Sequence, residues 1–165
     1  MDYLALLEKG IWLGCAGVGF AVLFNVPRRT LGVIYLIAAL GGMLKFYFLS
    51  LEVGLILSTL SGASLIGFAS ILAAHYRKSP PMTFALPALI PMIPGLYAYK
   101  AMVGIMKLTA EKDPVAYGKL FFETVNNGLS ALFIILSLAA GVAIPMLIAR
   151  KETVKRIKPE LVLEK

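Results

Sequence analysis

The sequence predicts an all-α polytopic membrane protein with five transmembrane helices, the fourth broken by proline and glycine near mid-membrane. Three observations lead there. Of 165 residues, 59% are hydrophobic and only 15% charged, and the mean hydropathy is +0.85. A soluble domain is about 45–50% apolar and about 25% charged, and a chain this short has too little interior to hide the excess. Second, residues 10–27, 53–74, 79–99 and 124–149 carry no charge over 18, 22, 21 and 26 positions, where a membrane span needs roughly 20. Third, Pro87, Pro91, Pro94 and Gly95 fall within nine residues of one of these runs. Soluble enzyme folds are excluded.

The whole chain reads as a single membrane domain. Its first span covers residues 9–25 and stops at Val26-Pro27, because the residue before proline avoids helix. Asp2, Glu8 and Lys9 make its leading segment acidic on balance, unlike a cleavable signal peptide. The second span covers 30–49, with Thr30 as its N-cap and Lys45 near its far end. The third covers 53–76. The fourth, 82–109, would be a straight helix of about 42 Å, too long for a hydrocarbon core of about 30 Å. Each interior proline removes a backbone hydrogen bond and crowds the preceding turn, so this span is expected as two half-helices, 82–93 and 95–109. The fifth covers 118–149, and 150–165 is a tail.

Charge sets the orientation. With five spans, one side receives Arg28, Arg29, Arg77, Lys78 and the tail, ten basic and three acidic residues including all five arginines. The other side receives Lys9, Lys45, Lys100, Lys107, Lys112 and Lys119 against six acids, net zero. The positive-inside rule places the N-terminus outside and the C-terminus in the cytoplasm. The formal charge of +7 is therefore a topology signal with affinity for anionic membrane lipid, and not a nucleic-acid footprint.

Small residues recur at helical spacing: Gly10, Gly14, Gly17 and Ala21; Gly54, Ser58 and Gly62; Asn126, Ser130, Ser137 and Gly141. Such faces let helices approach closely in lipid, within the chain or against a partner. The single cysteine, Cys15, forms no intrachain disulfide. No His/Cys cluster, phosphate loop or paired carboxylate within a span is present, so no cofactor, metal site or enzyme activity is expected.

Broken membrane helices occur where irregular backbone is buried in protein or lines a cavity, and in transporters their half-helix ends face a substrate. The half-helix after Pro94-Gly95 would offer its N-terminal N–H groups to an anion such as a carboxylate. Around these residues the chain resembles the threonine/serine exporter family. The likeness rests on Gly19-Phe20-Ala21-Val22-Leu23-Phe24-Asn25-Val26-Pro27 and on Ile90-Pro91-Met92-Ile93-Pro94-Gly95-Leu96-Tyr97-Ala98-Tyr99. It resembles in particular the C-terminal half of that family, which also occurs as a small subunit of the YjjB type. The resemblance implies export across a prokaryotic inner membrane of threonine and serine, or of a dicarboxylate such as succinate. It also implies a larger YjjP-like membrane subunit or a homo-oligomer as partner.

The matching positions Asn25, Pro91, Pro94, Gly95 and Tyr99 are carried over as substrate-binding candidates. Lys100 departs from the family pattern; it is a counter-charge for an exported anion or a lysine snorkelling to the interface. Asn126 and Asn127 line the path or join helices. Asn25 faces a substrate entrance or caps a helix end. Glu123 is the proton-coupling candidate unless it pairs with Lys119 one turn away. Against the exporter stands a non-transporting assembly subunit whose small-residue faces hold a partner.

Overall fold

The computed structural model describes residues 3–157, with side chains as far as Ala149. Nothing between Tyr3 and Lys9 breaks a helix, so α1 (Tyr3–Leu23) begins six residues before the expected boundary. It ends in a tight left-handed stop. Asn25 takes φ 55°, its N–H donates to the Val22 carbonyl at 3.0 Å, and the Val26 N–H donates to the Ala21 carbonyl at 3.0 Å. These two bonds satisfy carbonyls that the helix end would otherwise leave open.

Thr30 does not cap the next helix. It lies in a 3₁₀ turn, Arg28–Thr30, and its Oγ1 donates back to the Pro27 carbonyl at 2.7 Å. Helix α2 (Leu31–Ser50) follows, then α3 (Leu55–Arg77). Their connections also turn on left-handed residues, Glu52 at φ 58° and Lys78 at φ 51°. The fourth span is divided as α4 (Met82–Leu89), a 3₁₀ turn (Ile90–Met92) and α5 (Gly95–Leu108). The two parts are bent by 52°. Among the described residues four other helices are long and apolar enough to cross a membrane, and the bent pair, taken as one span, brings the number to five.

The last helix, α6 (Pro114–Ile157), starts four residues before the expected Gly118. The reason lies in its start signal. Asp113 carboxylate oxygens accept from the N–H groups of Val115 and Ala116, both at 3.3 Å, and proline suits the first helical position. The expected tail lies beyond the described side chains, although α6 continues as far as Ile157. From Pro114 to Ala149 the helix has 36 residues, about 54 Å. Its charge-free part, 124–149, suits the hydrocarbon, and the turns carrying Lys119 and Glu123 extend past it.

Glycine sets the helix spacing at each main contact. The residues α1 buries are Gly10, Gly14, Gly17 and Ala21. A methyl on Gly14 would come 2.7 Å from the Tyr35 ring, and one on Gly17 would come 2.8 Å from Ala38 Cβ. Between α2 and α3, a methyl on Gly62 would lie 2.6 Å from the Gly41 carbonyl oxygen. Between α3 and α6, one on Gly141 would meet Ala63 Cβ at 2.6 Å. Such approach is how helices gain van der Waals contact in lipid. The outcome is a cradle of α1, α2 and α3 around α4, with α6 against α3 and α5 packed along α6. The core it encloses includes Ile34, Ile66, Phe84, Ala85, Ala88 and Ile134.

Because the obstacle at Gly62 is backbone, Gly62→Ala should lower unfolding stability in detergent by about 1–3 kcal/mol. At Gly19 a methyl meets nothing within 4 Å, so Gly19→Ala should leave stability unchanged or raise it by up to about 1 kcal/mol. Thermal unfolding of both purified variants checks the contrast.

Candidate functional site

The break is built by missing donors. In an uninterrupted helix each N–H answers the carbonyl four residues earlier. Pro87, Pro91 and Pro94 have none to give, which frees the carbonyls of Thr83, Pro87 and Ile90. The Ile93 N–H turns to the Ile90 carbonyl at 3.1 Å. The Gly95 N–H turns to the Ile93 carbonyl at 2.9 Å, around Pro94 at φ −80° and ψ 57°, an inverse γ-turn. Ile93 itself is extended, with ψ 137°. The Pro87 carbonyl faces Gly17 of α1, whose added methyl would come 3.6 Å from it.

The Met92 carbonyl has a partner that sequence reasoning missed. In a continuous helix the Leu96 N–H would answer it. Here the Lys45 ammonium donates to it from α2 at 3.3 Å. Lys45 is half-buried and Met92 is buried. The signal was in the sequence: Lys45 follows Gly41 by four residues, so it shares the small-residue face that α2 turns inward. A lysine on such a face is not an interfacial charge.

The candidates drawn from the sequence do not converge on one site. Pro94 is buried, Pro91 is half-buried, and Gly95 opens outward with nothing within 4 Å of an added methyl. Tyr99, Lys100, Glu123 and Asn127 do come together. With Lys107 and Thr124 they line a cleft of about 520 Å³ between α5 and α6. The Asn127 amide donates along its own helix to the Glu123 backbone carbonyl at 2.7 Å. Two lysines and one carboxylate there can meet a carboxylate and an ammonium on one small molecule. Asn126 is turned to another side of α6, where it borders a cleft of about 590 Å³ with residues of the α3 entry such as Leu55 and Leu57.

Asn25 lies elsewhere again. It borders a cleft of about 420 Å³ with Phe24, Pro27, Met82, Leu86 and Pro87. Its left-handed backbone is the reason asparagine stands there, since few side chains tolerate that region. One quoted motif stops α1 and the other breaks the fourth span; Pro87 of α4 borders the Asn25 cleft and lays its carbonyl against Gly17.

The comparisons with known proteins cover most of the chain. A family model described as "Threonine/Serine exporter, ThrE" matches residues 10–148. A protein of Haemophilus influenzae, described as an uncharacterized protein, is 31% identical over 145 residues, covering 88% of this chain and 48% of that protein. The chain therefore spans about half the length of this curated relative. No solved structure matches.

At φ 55° the Asn25 backbone, and not its amide, makes the stop of α1. Asn25→Gly should keep the stop of α1, while Asn25→Val should lower stability by about 1–2 kcal/mol. Thermal unfolding of the two purified variants reads out the contrast.

Proposed function

The chain belongs to the threonine/serine exporter family, and from that premise we propose that it is the small subunit of a secondary-type exporter. Its cargo is small and carboxylate-bearing: threonine, serine or a dicarboxylate such as succinate. The cargo passes out of the cytoplasm beside the break at Pro91–Gly95 and through the cleft between α5 and α6. The observation that carries this reading is the break itself. A helix opened inside a bundle gives a cargo backbone dipoles and unpaired carbonyls that an unbroken span lacks.

Three further features support the reading. The mixed charge of Lys100, Lys107 and Glu123 in one cleft suits a zwitterion or a dicarboxylate better than an apolar solute. The chain spans about half the length of a related protein, and we assign it a larger YjjP-like subunit or a second copy as partner. The arginines and the tail favour an inner-membrane orientation with the N-terminus outside. Glu123, at the outer end of α6, is the group we assign to proton coupling.

The assembly-subunit alternative drew on the small-residue faces. On α1 that face is used within the chain, against Tyr35, Ala38 and Met43, so it is not free to hold a partner.

The test is efflux of labelled serine, threonine and succinate from cells carrying the chain with a candidate large subunit. Gly95→Leu adds bulk where no neighbour stands within 4 Å, and Pro94→Ala restores a backbone donor. Each should cut efflux by about tenfold or more at equal amounts of inserted protein. Unchanged efflux of all three solutes in both variants would contradict the assignment of the path.

A further inference from the structure

Lys45 brings a positive charge to the break from a neighbouring helix. It lies five residues before the end of α2 (Leu31–Ser50), close enough to an interface for a free lysine to snorkel out. It does not do so. Side chains on a helix lean toward its N-terminus, and for Lys45 that direction is inward, away from the nearer surface. Its ammonium ends 3.3 Å from the Met92 carbonyl oxygen. Lys9, at the same end of the bundle, behaves differently: its ammonium rests on the outer Phe46 ring, 4.7 Å from the centroid.

The packing holds Lys45 in this place. A methyl on Gly62 would come 3.1 Å from Lys45 Cβ and 2.9 Å from Met92 Cε. The glycine contact between α2 and α3 therefore fixes the lysine stem and the break side by side. Among the described residues the ammonium has the Met92 carbonyl as acceptor and no carboxylate partner. A charge taken out of water needs an opposite charge, or several hydrogen bonds, to offset its desolvation. One carbonyl leaves two of the three ammonium N–H donors without a protein acceptor. Ionisable residues at membrane depth mark pathways for this reason.

We propose that Lys45 receives the carboxylate of the cargo at the break, with the Met92 carbonyl and that carboxylate sharing the ammonium. The proposal rests on the exporter reading and deepens it. It adds a counter-charge at the break itself, on Lys45 of α2, to the charges that Lys100 and Glu123 bring to the cleft between α5 and α6. Serine, threonine and succinate have a carboxylate in common, so one lysine serves all of them.

Transport of labelled serine and succinate by the full chain, coexpressed with its candidate large subunit, tests the proposal. Lys45→Met should raise KM for both solutes about tenfold or more, the loss expected for one charge-assisted hydrogen bond. Lys45→Arg should restore KM to within about threefold, and Lys9→Met, which removes a lysine resting on the Phe46 ring, should leave it within about threefold. Lys45→Gln, which keeps a polar stem, replaces Lys45→Met if that variant fails to insert. Wild-type flux that survives Lys45→Met or Lys45→Gln with unchanged KM overturns this assignment and leaves the exporter reading standing. A wild-type chain that moves neither solute overturns the exporter reading and this proposal with it.

Discussion

In hydrocarbon there is no water to answer an open backbone carbonyl, so each one must find its partner in protein or in a hydrated path. Pro87, Pro91 and Pro94 remove three donors from one span, and the surrounding structure is arranged around that deficit. The break closes part of it locally, through the bonds from Ile93 to Ile90 and from Gly95 to Ile93. A lysine from α2 answers the Met92 carbonyl. The Pro87 carbonyl is laid against Gly17, where the absence of a side chain lets α1 come close. Such a span is stable only inside a cradle.

The glycine contacts supply that cradle. In lipid no hydrophobic force draws helices together, so close approach must come from small residues. Gly10, Gly14 and Gly17 seat α1, the Gly41–Gly62 contact joins α2 to α3, and Gly67 with Gly141 joins α3 to α6. Gly67 also meets Pro145, whose missing N–H frees the Gly141 carbonyl on the facing helix. The same device of proline answered by glycine thus appears twice, at α4 against α1 and at α6 against α3. Only α4 goes on to break. Its 52° bend carries α5 out of the cradle to α6, and this places Lys100 across from Glu123.

Much of this was legible in the sequence, for physical reasons that can be named. Charge-free runs and proline spacing are local properties, so the helical spans and the division of the fourth were readable directly. The small-residue face of α1 was readable because helical periodicity repeats it. What resisted reading depends on neighbours. Thr30 looked like an N-cap, but the Pro27 carbonyl was the nearer acceptor. Gly118 looked like a helix start, while Asp113 with Pro114 is the stronger signal. Asn126 and Asn127 are adjacent in sequence and therefore about 100° apart around α6, so they border different clefts. Lys45 was counted among the outer charges because its depth along α2 is shallow. The direction of its side chain, set by the Gly41 face, decides where its charge lies.

The central claim is that the break meets a water-filled path and not lipid. Cys15 is the sole cysteine, so a Cys15→Ser background accepts single reporters at Ile93 and Gly95 on the break and at Ala85 and Ala88 in the buried face of α4. Labelling by a membrane-impermeant thiol reagent in native membranes is the direct measurement. The account predicts rapid labelling at 93 and 95, slowed by serine or succinate, and none at 85 and 88. Labelling at 93 and 95 by lipid-soluble reagents alone would contradict it.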